Sequence, residues 1–353
     1  MLLLFKFSKC RMVAAMTIEN QDDSYHWTPE KSVESKHARQ LEAEELIGST
    51  LNRLWDGVEI EEPLFEEAIN TGIDIALSEI WDNEVEGRAL AYHNVIHTAL
   101  VMRRTLTAAL TIHRQDPEAM TSRQVALSVY AAAWHDVEND YEELTEDIGE
   151  NSHPLLVSKI ALRRGDNEDT SADRARDLLY ELNQNEETFT TSEADEVRDA
   201  IVRTMPVFTS DKAVYQDLEE AGPVAVSLSI GDIDGAGLDI KTFLREGDRF
   251  YREQYPNMFE RYKFKGEHAA ALIRRHALAW DEGQVSFARG RQLYSQQQIE
   301  KSILPEAVKV SLLKLLNFYG LSIEVAKHRH EERLQMNTEE LLKSFGYHDP
   351  ANQ

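Results

Sequence analysis

The chain reads as an all-α protein, and three observations predict that class. From residue 36 onward, apolar residues recur at helical spacing almost everywhere. Alternation over the length of a strand is scarce, and runs of β-branched residues are short. The elements follow in order. Residues 1–35 are polar, mixed and poorly periodic, which predicts a flexible arm. Residues 38–54 and 63–82 carry apolar faces, the second opening with Pro63 near its first turn. Residues 91–113 form the next predicted helix, with Val95, Ala99, Met102, Leu106 and Leu110 along it. The segment 121–135 starts at Thr121 or Ser122 as a cap. The acidic stretch 140–150 lacks a strong apolar face and predicts a loop of the kind in which lids occur. Further helices are predicted over 152–164, 171–185, 192–204, 213–229, 239–253, 263–278 and 305–335. The expected organisation is one domain over 36–300, with a helical extension over 301–353 packed on it. No internal repeat and no glycine-rich phosphate loop interrupts the pattern.

Composition narrows the function. The 353 residues include 42% hydrophobic ones, enough for a sizeable core. The net charge of −25 argues against gripping duplex nucleic acid through its phosphates. No apolar run approaches a membrane span. A single cysteine, Cys10, excludes an internal disulfide framework and fits a reducing compartment, so a cytoplasmic location is expected. The opening Met-Leu-Leu-Leu-Phe-Lys places its apolar run before its first charge, the reverse of a secretory signal. It predicts a disordered leader, or a start codon upstream of the real start at Met12 or Met16.

The chemistry concentrates in a few side chains. His93 and His97 stand four apart, which on a helix turns both to one face. The run Tyr130 to Trp134 is apolar nearly all round, as in a buried helix, and it delivers His135 and Asp136 at its tip. Adjacent helical residues point about 100° apart, so both reach one site best where the helix ends. Val137-Glu138-Asn139-Asp140 looks like such an end. Asp232 and Asp234 follow an apolar helix in a glycine-rich turn. Imidazole and carboxylate together suit a divalent ion that activates water. Burying such groups costs several kcal/mol unless they are paired or bind metal.

Together these residues resemble the HD superfamily of metal-dependent phosphohydrolases. The likeness rests on Tyr-His93-Asn94-Val-Ile-His97-Thr, then His135-Asp136, then the distant Asp232. The first two pieces are also similar to the catalytic domain of cyclic nucleotide phosphodiesterases. Gly-Asp232-Ile-Asp234-Gly, Ile201-Val-Arg-Thr204-Met-Pro206 and Gln284-Val-Ser-Phe287 resemble weaker motifs of such chains, over roughly residues 88–294. The resemblance implies an HD-domain helical bundle with additional C-terminal helices. It implies His97, His135, Asp136 and Asp232 as ligands of a divalent ion of manganese, magnesium, zinc or iron. Asp136 would be the residue able to reach a second ion. His93 would be the acid that protonates a leaving oxygen, and Gln284 and Phe287 would contact substrate.

The implied activity is hydrolysis of a phosphate ester by a metal-activated water. The ester would belong to a nucleotide or another small phosphorylated metabolite. Narrower or different readings are a cyclic nucleotide phosphodiesterase and a degenerate HD domain that binds or regulates. Iron-dependent oxygenases of the superfamily need more ligands than this chain offers. Where phosphodiesterases carry a further histidine after His-Asp, this chain has Asn139, which puts a fully protein-ligated second ion in doubt. Family register favours Asp232 over Asp234 as the last ligand, and Asp234 reads as a turn or cap residue. Glu150 and His153 read as part of a capped helix start. His328, Arg329 and His330 read as a solvated helix face. Arg103 and Arg104 read as partners of nearby carboxylates. Lys263, Lys265, Arg289 and Arg291 form the nearest approach to a basic cluster, one that could admit an anionic substrate.

Overall fold

A computed structural model describes residues 36–85, 90–149, 154–183, 188–208 and 214–348. The predicted arm, Glu150, His153 and the side chain of Lys265 lie outside the described residues. The described chain is mostly helical, as expected. Its helices are α1 (Lys36–Gly57), α2 (Pro63–Val85), α3 (Val95–Gln115), α4 (Ser122–Trp134), α5 (Asp166–Leu182) and α6 (Thr191–Val202). They continue with α7 (Pro223–Ile233), α8 (Gly235–Leu238), α9 (Ile240–Gln254) and α10 (Met258–Lys301). The last three are α11 (Glu306–Leu315), α12 (Tyr319–Arg333) and α13 (Thr338–Ser344).

The centre of the fold is α3, α4 and α7. Every residue of α4 from Val125 to Trp134 is buried, and so is every residue of α7 from Pro223 to Gly231. Such all-round apolar helices can only sit inside. Thr121 caps α4 through a reciprocal bond pair with Gln124. Gly231 lets α7 lie directly on α3. A Cβ there would stand 2.1 Å from Thr105 Oγ1 and 2.9 Å from the Val101 carbonyl oxygen. That close approach sets Asp232 beside α3.

The C-terminal helices join this core rather than decorating it. Val308, Leu312, Tyr319, Ile323 and Ala326 belong to the same apolar cluster as Leu100, Val129 and Leu228. A second cluster gathers Tyr251, Tyr255, Met258 and Ile273 with Leu341, Leu342 and Phe345 of α13 and its cap.

Three local expectations are corrected. The acidic loop and the helix over 152–164 are instead an antiparallel hairpin of β1 (Tyr141–Asp147) and β2 (Leu156–Leu162). Tertiary anchoring explains it. Val157 is buried in the second cluster, the Asn257 side chain accepts from Ser158 N at 3.0 Å, and Glu146 takes Lys159 and the Tyr255 hydroxyl. A smaller hairpin, β3 (Val207–Phe208) with β4 (Val214–Tyr215), precedes α7. The helix expected over 305–335 breaks between α11 and α12, where Phe318 N bonds the Gly237 carbonyl at 3.2 Å. The face carrying Arg329 is not solvated. Arg329 and Arg333 are buried on Asp248 and Asp281, and His330 reaches Asp281 at 3.1 Å. His328, 58% exposed, alone of the three follows the expectation.

Candidate metal centre

His97 enters the site from the first turn of α3, and Asn94 is why that turn starts there. Its Oδ1 accepts from Ile96 N at 3.0 Å and His97 N at 3.2 Å, an ordinary N-cap. His93 therefore lies before the helix, not one turn along it, which corrects the geometry read from the sequence. The two imidazoles are neighbours all the same, with ring centres 5.8 Å apart. His135 is the C-cap of α4, and Asp136 follows in the turn closed by Val137 N on the Trp134 carbonyl. The helix end inferred from the sequence is the device that turns both toward one point.

Asp232, near the end of α7, lies beside the other three. His135 Nε2 lies 3.1 Å from Asp136 Oδ2 and 3.8 Å from Asp232 Oδ1. His97 Nε2 lies 3.3 Å and 3.7 Å from the same two atoms. One ligand atom each from His97, His135 and Asp136 lies within 4.8 Å of the others. Metal–ligand bonds of about 2 Å require separations of roughly this size. Both Nε2 atoms are buried and make no aligned hydrogen bond, despite the nearby carboxylates. Buried polar atoms are normally satisfied, and these two orphans face a pair of carboxylates, as the donors of an ion site would. The residues therefore fit a divalent ion.

The imidazoles are held from behind. His135 Nδ1 donates to the Ala132 carbonyl at 2.8 Å, and His97 Nδ1 faces Glu246 Oε1 at 3.2 Å. A proton on each Nδ1 leaves each Nε2 lone pair turned into the site, the usual support of a histidine ligand. Glu246 is in turn gripped by Arg104 at 2.5 Å, and Arg104 also bonds Thr242. Burial alone would raise the Glu246 pKa, but Arg104 and His97 bring it down to about 2. Gln216, fully buried, donates from Nε2 to Asp232 Oδ2 at 2.6 Å and to the Thr204 carbonyl at 2.7 Å. This ties the Ile201–Pro206 motif to the ligand turn.

The field favours a cation. Burial would lower the His97 pKa, yet the nearby carboxylates of Asp136 and Glu246 raise it to about 10. His135 is also raised, against its burial, by Asp136 and Asp232. Asp136 is held well below the usual carboxylate range despite burial, by His135 and His97. Asp232 is pushed up by burial and by its neighbour Asp136. Two carboxylates that repel one another in a partly buried site are stabilised by a shared positive ion.

His93 stands apart from this group. Its Nδ1 meets Glu253 Oε1 at 2.5 Å, and Glu253 Oε2 accepts from Tyr92 N at 2.7 Å and His93 N at 2.9 Å. His93 lines a cleft of about 160 Å³ beside the ligands, together with Val137, Glu138, Asn139, Asp140 and Tyr141. Asn139 bonds the Asp136 carbonyl and is not placed as a ligand. Asp234 lies outside the His97–His135–Asp136 group, and it is more than the local cap expected. Its Oδ1 accepts from Arg291, Ser295 and Tyr319, all buried.

The remaining candidates go to packing or pairing. Phe287 stacks on Phe243 with ring centres 6.2 Å apart, and Gln284 lies against Gly247. Arg103 pairs with Asp239, and of the expected basic cluster Lys263 pairs with Glu339 and Arg291 with Asp234.

Glu246, Glu253 and Gln216 were missed by sequence reasoning. A signal existed for the first two: Thr242, Glu246, Arg249 and Glu253 fall at spacings of four, three and four, a polar stripe down one face of α9. All four are buried. Gln216 has no such signal.

A scan against protein-family models, a search of curated proteins and a search of solved structures each found no match to this chain.

Proposed function

We propose that this protein is a metal-dependent hydrolase of phosphate esters, acting on a nucleotide or another small phosphorylated metabolite. One observation carries the reading: two buried, unsatisfied imidazole Nε2 atoms from α3 and α4 converge on two carboxylates. His97, His135, Asp136 and Asp232 hold the ion. When bound, it supplies a nucleophilic water at neutral pH and screens charge on the phosphoryl oxygens. Asp136 and Asp232 are 20% and 13% exposed, so the carboxylate side of the group is open to substrate. His93 gives its proton to the leaving oxygen. Glu253 fixes the ring through Nδ1, which turns Nε2 to the cleft.

The Tyr-His-Asn-x-x-His opening favours a cyclic nucleotide phosphodiesterase as the narrower version. The test is metal analysis of the purified protein, followed by a panel of phosphate monoesters and cyclic nucleotides with added manganese, magnesium, zinc or iron. Stoichiometric metal and turnover of one ester class support the proposal. Persistent absence of metal after loading, with no turnover, would leave a binding or regulatory module.

A further inference from the structure

Arg164 sits in the turn between β2 and α5, directly against the segments that carry the site. Arg163 N donates to the Asp140 carbonyl at 3.0 Å, Asn167 Nδ2 donates to the same oxygen at 3.0 Å, and Glu138 N donates to Ser171 Oγ at 3.1 Å. These bonds fasten the turn to the segment that follows Asp136. On its other side the Arg164 guanidinium lies 4.8 Å over the ring of Phe208. Phe208 pairs with Val214 in the small hairpin, two residues before Gln216, which holds Asp232. Arg164 thus spans the two segments that deliver the two carboxylate ligands.

Its neighbours are occupied and it is not. Arg163 pairs with Glu142, Arg174 with Glu138 and Glu79, and Arg203 with Asp199. Arg164 makes no hydrogen bond or ion pair with any described residue, and it is exposed to water. Surrounding protein still lowers its pKa, opposed by the charges of Glu168, Asp136 and Asp232. The guanidinium is open to water on one side and covered by the Phe208 ring on the other. No described residue takes its donors, and the segments it bridges carry Asp136 and Asp232, so its fork is free to meet an anion that reaches the site.

We propose that Arg164 is the anion-binding residue of this site, taking two phosphoryl oxygens of the substrate in its fork while Phe208 holds its plane. The identity of the substrate rests on the hydrolase reading above, whereas the binding of a phosphate group does not. Arg is suited to this by geometry. Two parallel N–H donors match two phosphate oxygens, and an aromatic face fixes the plane without taking a donor.

The test uses the full, metal-loaded chain with inorganic phosphate as probe, alongside steady-state kinetics on a phosphate monoester. Arg164→Gln is expected to weaken phosphate binding by calorimetry about tenfold or more. It should raise KM by a similar factor, with kcat within about threefold and metal content unchanged. Arg164→Lys should recover only part of the loss, because the charge returns without the fork. Phe208→Leu should give a smaller defect in the same direction. Unchanged phosphate affinity in Arg164→Gln overturns the proposal, as does loss of metal in that variant, which would make the residue structural. Wild-type protein that binds no phosphate overturns it too. Phosphate binding that depends on Arg164 in a protein that hydrolyses no ester would sink the hydrolase reading and leave the anion site standing.

Discussion

Asp232 and Asp234 stand two residues apart in one turn, and the fold treats them in opposite ways. Asp234 is 2% exposed, and its Oδ1 is filled by Arg291 Nη2 at 2.6 Å, Ser295 at 2.6 Å and Tyr319 at 2.6 Å. Asp232 receives Gln216 on one oxygen and offers the other to two imidazole nitrogens that lack aligned partners. Sequence spacing does not distinguish them. Satisfaction does: a carboxylate whose bonds are complete holds the scaffold, and one left facing other acceptors is set for a ligand.

The sharpest way to break this contrast is to remove ligands. Asp136→Ala should lose bound metal and drop hydrolysis below detection, with Asp232→Ala close behind, because each removes a direct bond to the ion. Metal per folded protein and turnover are the measurements, and circular dichroism should stay native. Full metal content and activity in Asp136→Ala would mean that the cluster is not the site.

Asp234→Ala should fail differently. It strands Arg291, 1% exposed, without its counter-charge, and breaking a buried pair costs about 3–5 kcal/mol. The melting temperature should fall sharply, while the protein that remains folded keeps its metal. Loss of metal without loss of stability would exchange the roles of the two aspartates.

His93→Ala sharpens the division between ligand and acid. Metal should remain, and turnover should fall roughly a hundredfold, the typical worth of a placed acid. The defect should shrink for p-nitrophenyl phosphate, whose leaving group needs no proton. Equal losses on good and poor leaving groups would point to packing instead.

The same contrast marks what was legible in the sequence. The helical class, the buried α4 and the tip that carries His135-Asp136 were readable because burial on all sides leaves a run of apolar residues. The candidate ligands were readable as residue types and through motif resemblance but not in their geometry, since spacing placed His93 and His97 on one helix when Asn94 starts the helix between them. The partners of residues that act from a distance in sequence were not legible, even where the polar stripe of α9 marks the residues themselves. Glu246 meets His97 across 149 positions and Glu253 meets His93 across 160, and nothing local encodes either meeting. The β1–β2 hairpin was hidden for the same reason. Its register depends on Val157 finding the second cluster and on Asn257, 99 residues away from Ser158. Asp234 was read as a local cap because its partners Arg291, Ser295 and Tyr319 lie 57 to 85 positions further on.

The smallest expected effect tests whether a second satisfied carboxylate behaves like Asp234. Asp281 is fully buried, and burial alone would raise its pKa. Arg333 and Arg329, with hydrogen bonds from Arg333 and His330, lower it instead. A folded pKa below the unfolded value of about 3.9 means the folded state holds the ionised form more tightly. That stability is fully present above the unfolded pKa and is lost as pH falls through the folded one. Wild type should therefore lose stability in acid over this window, whereas Asp281→Asn, already weakened at pH 7 by two buried arginines left short of charge, should lose less between pH 6 and pH 2. Urea midpoints at both pH values measure it. Parallel acid dependence in the two proteins would mean that the Asp281 cluster does not hold its charge in the folded state, and that complete hydrogen bonding around a buried carboxylate is not enough to mark it as scaffold.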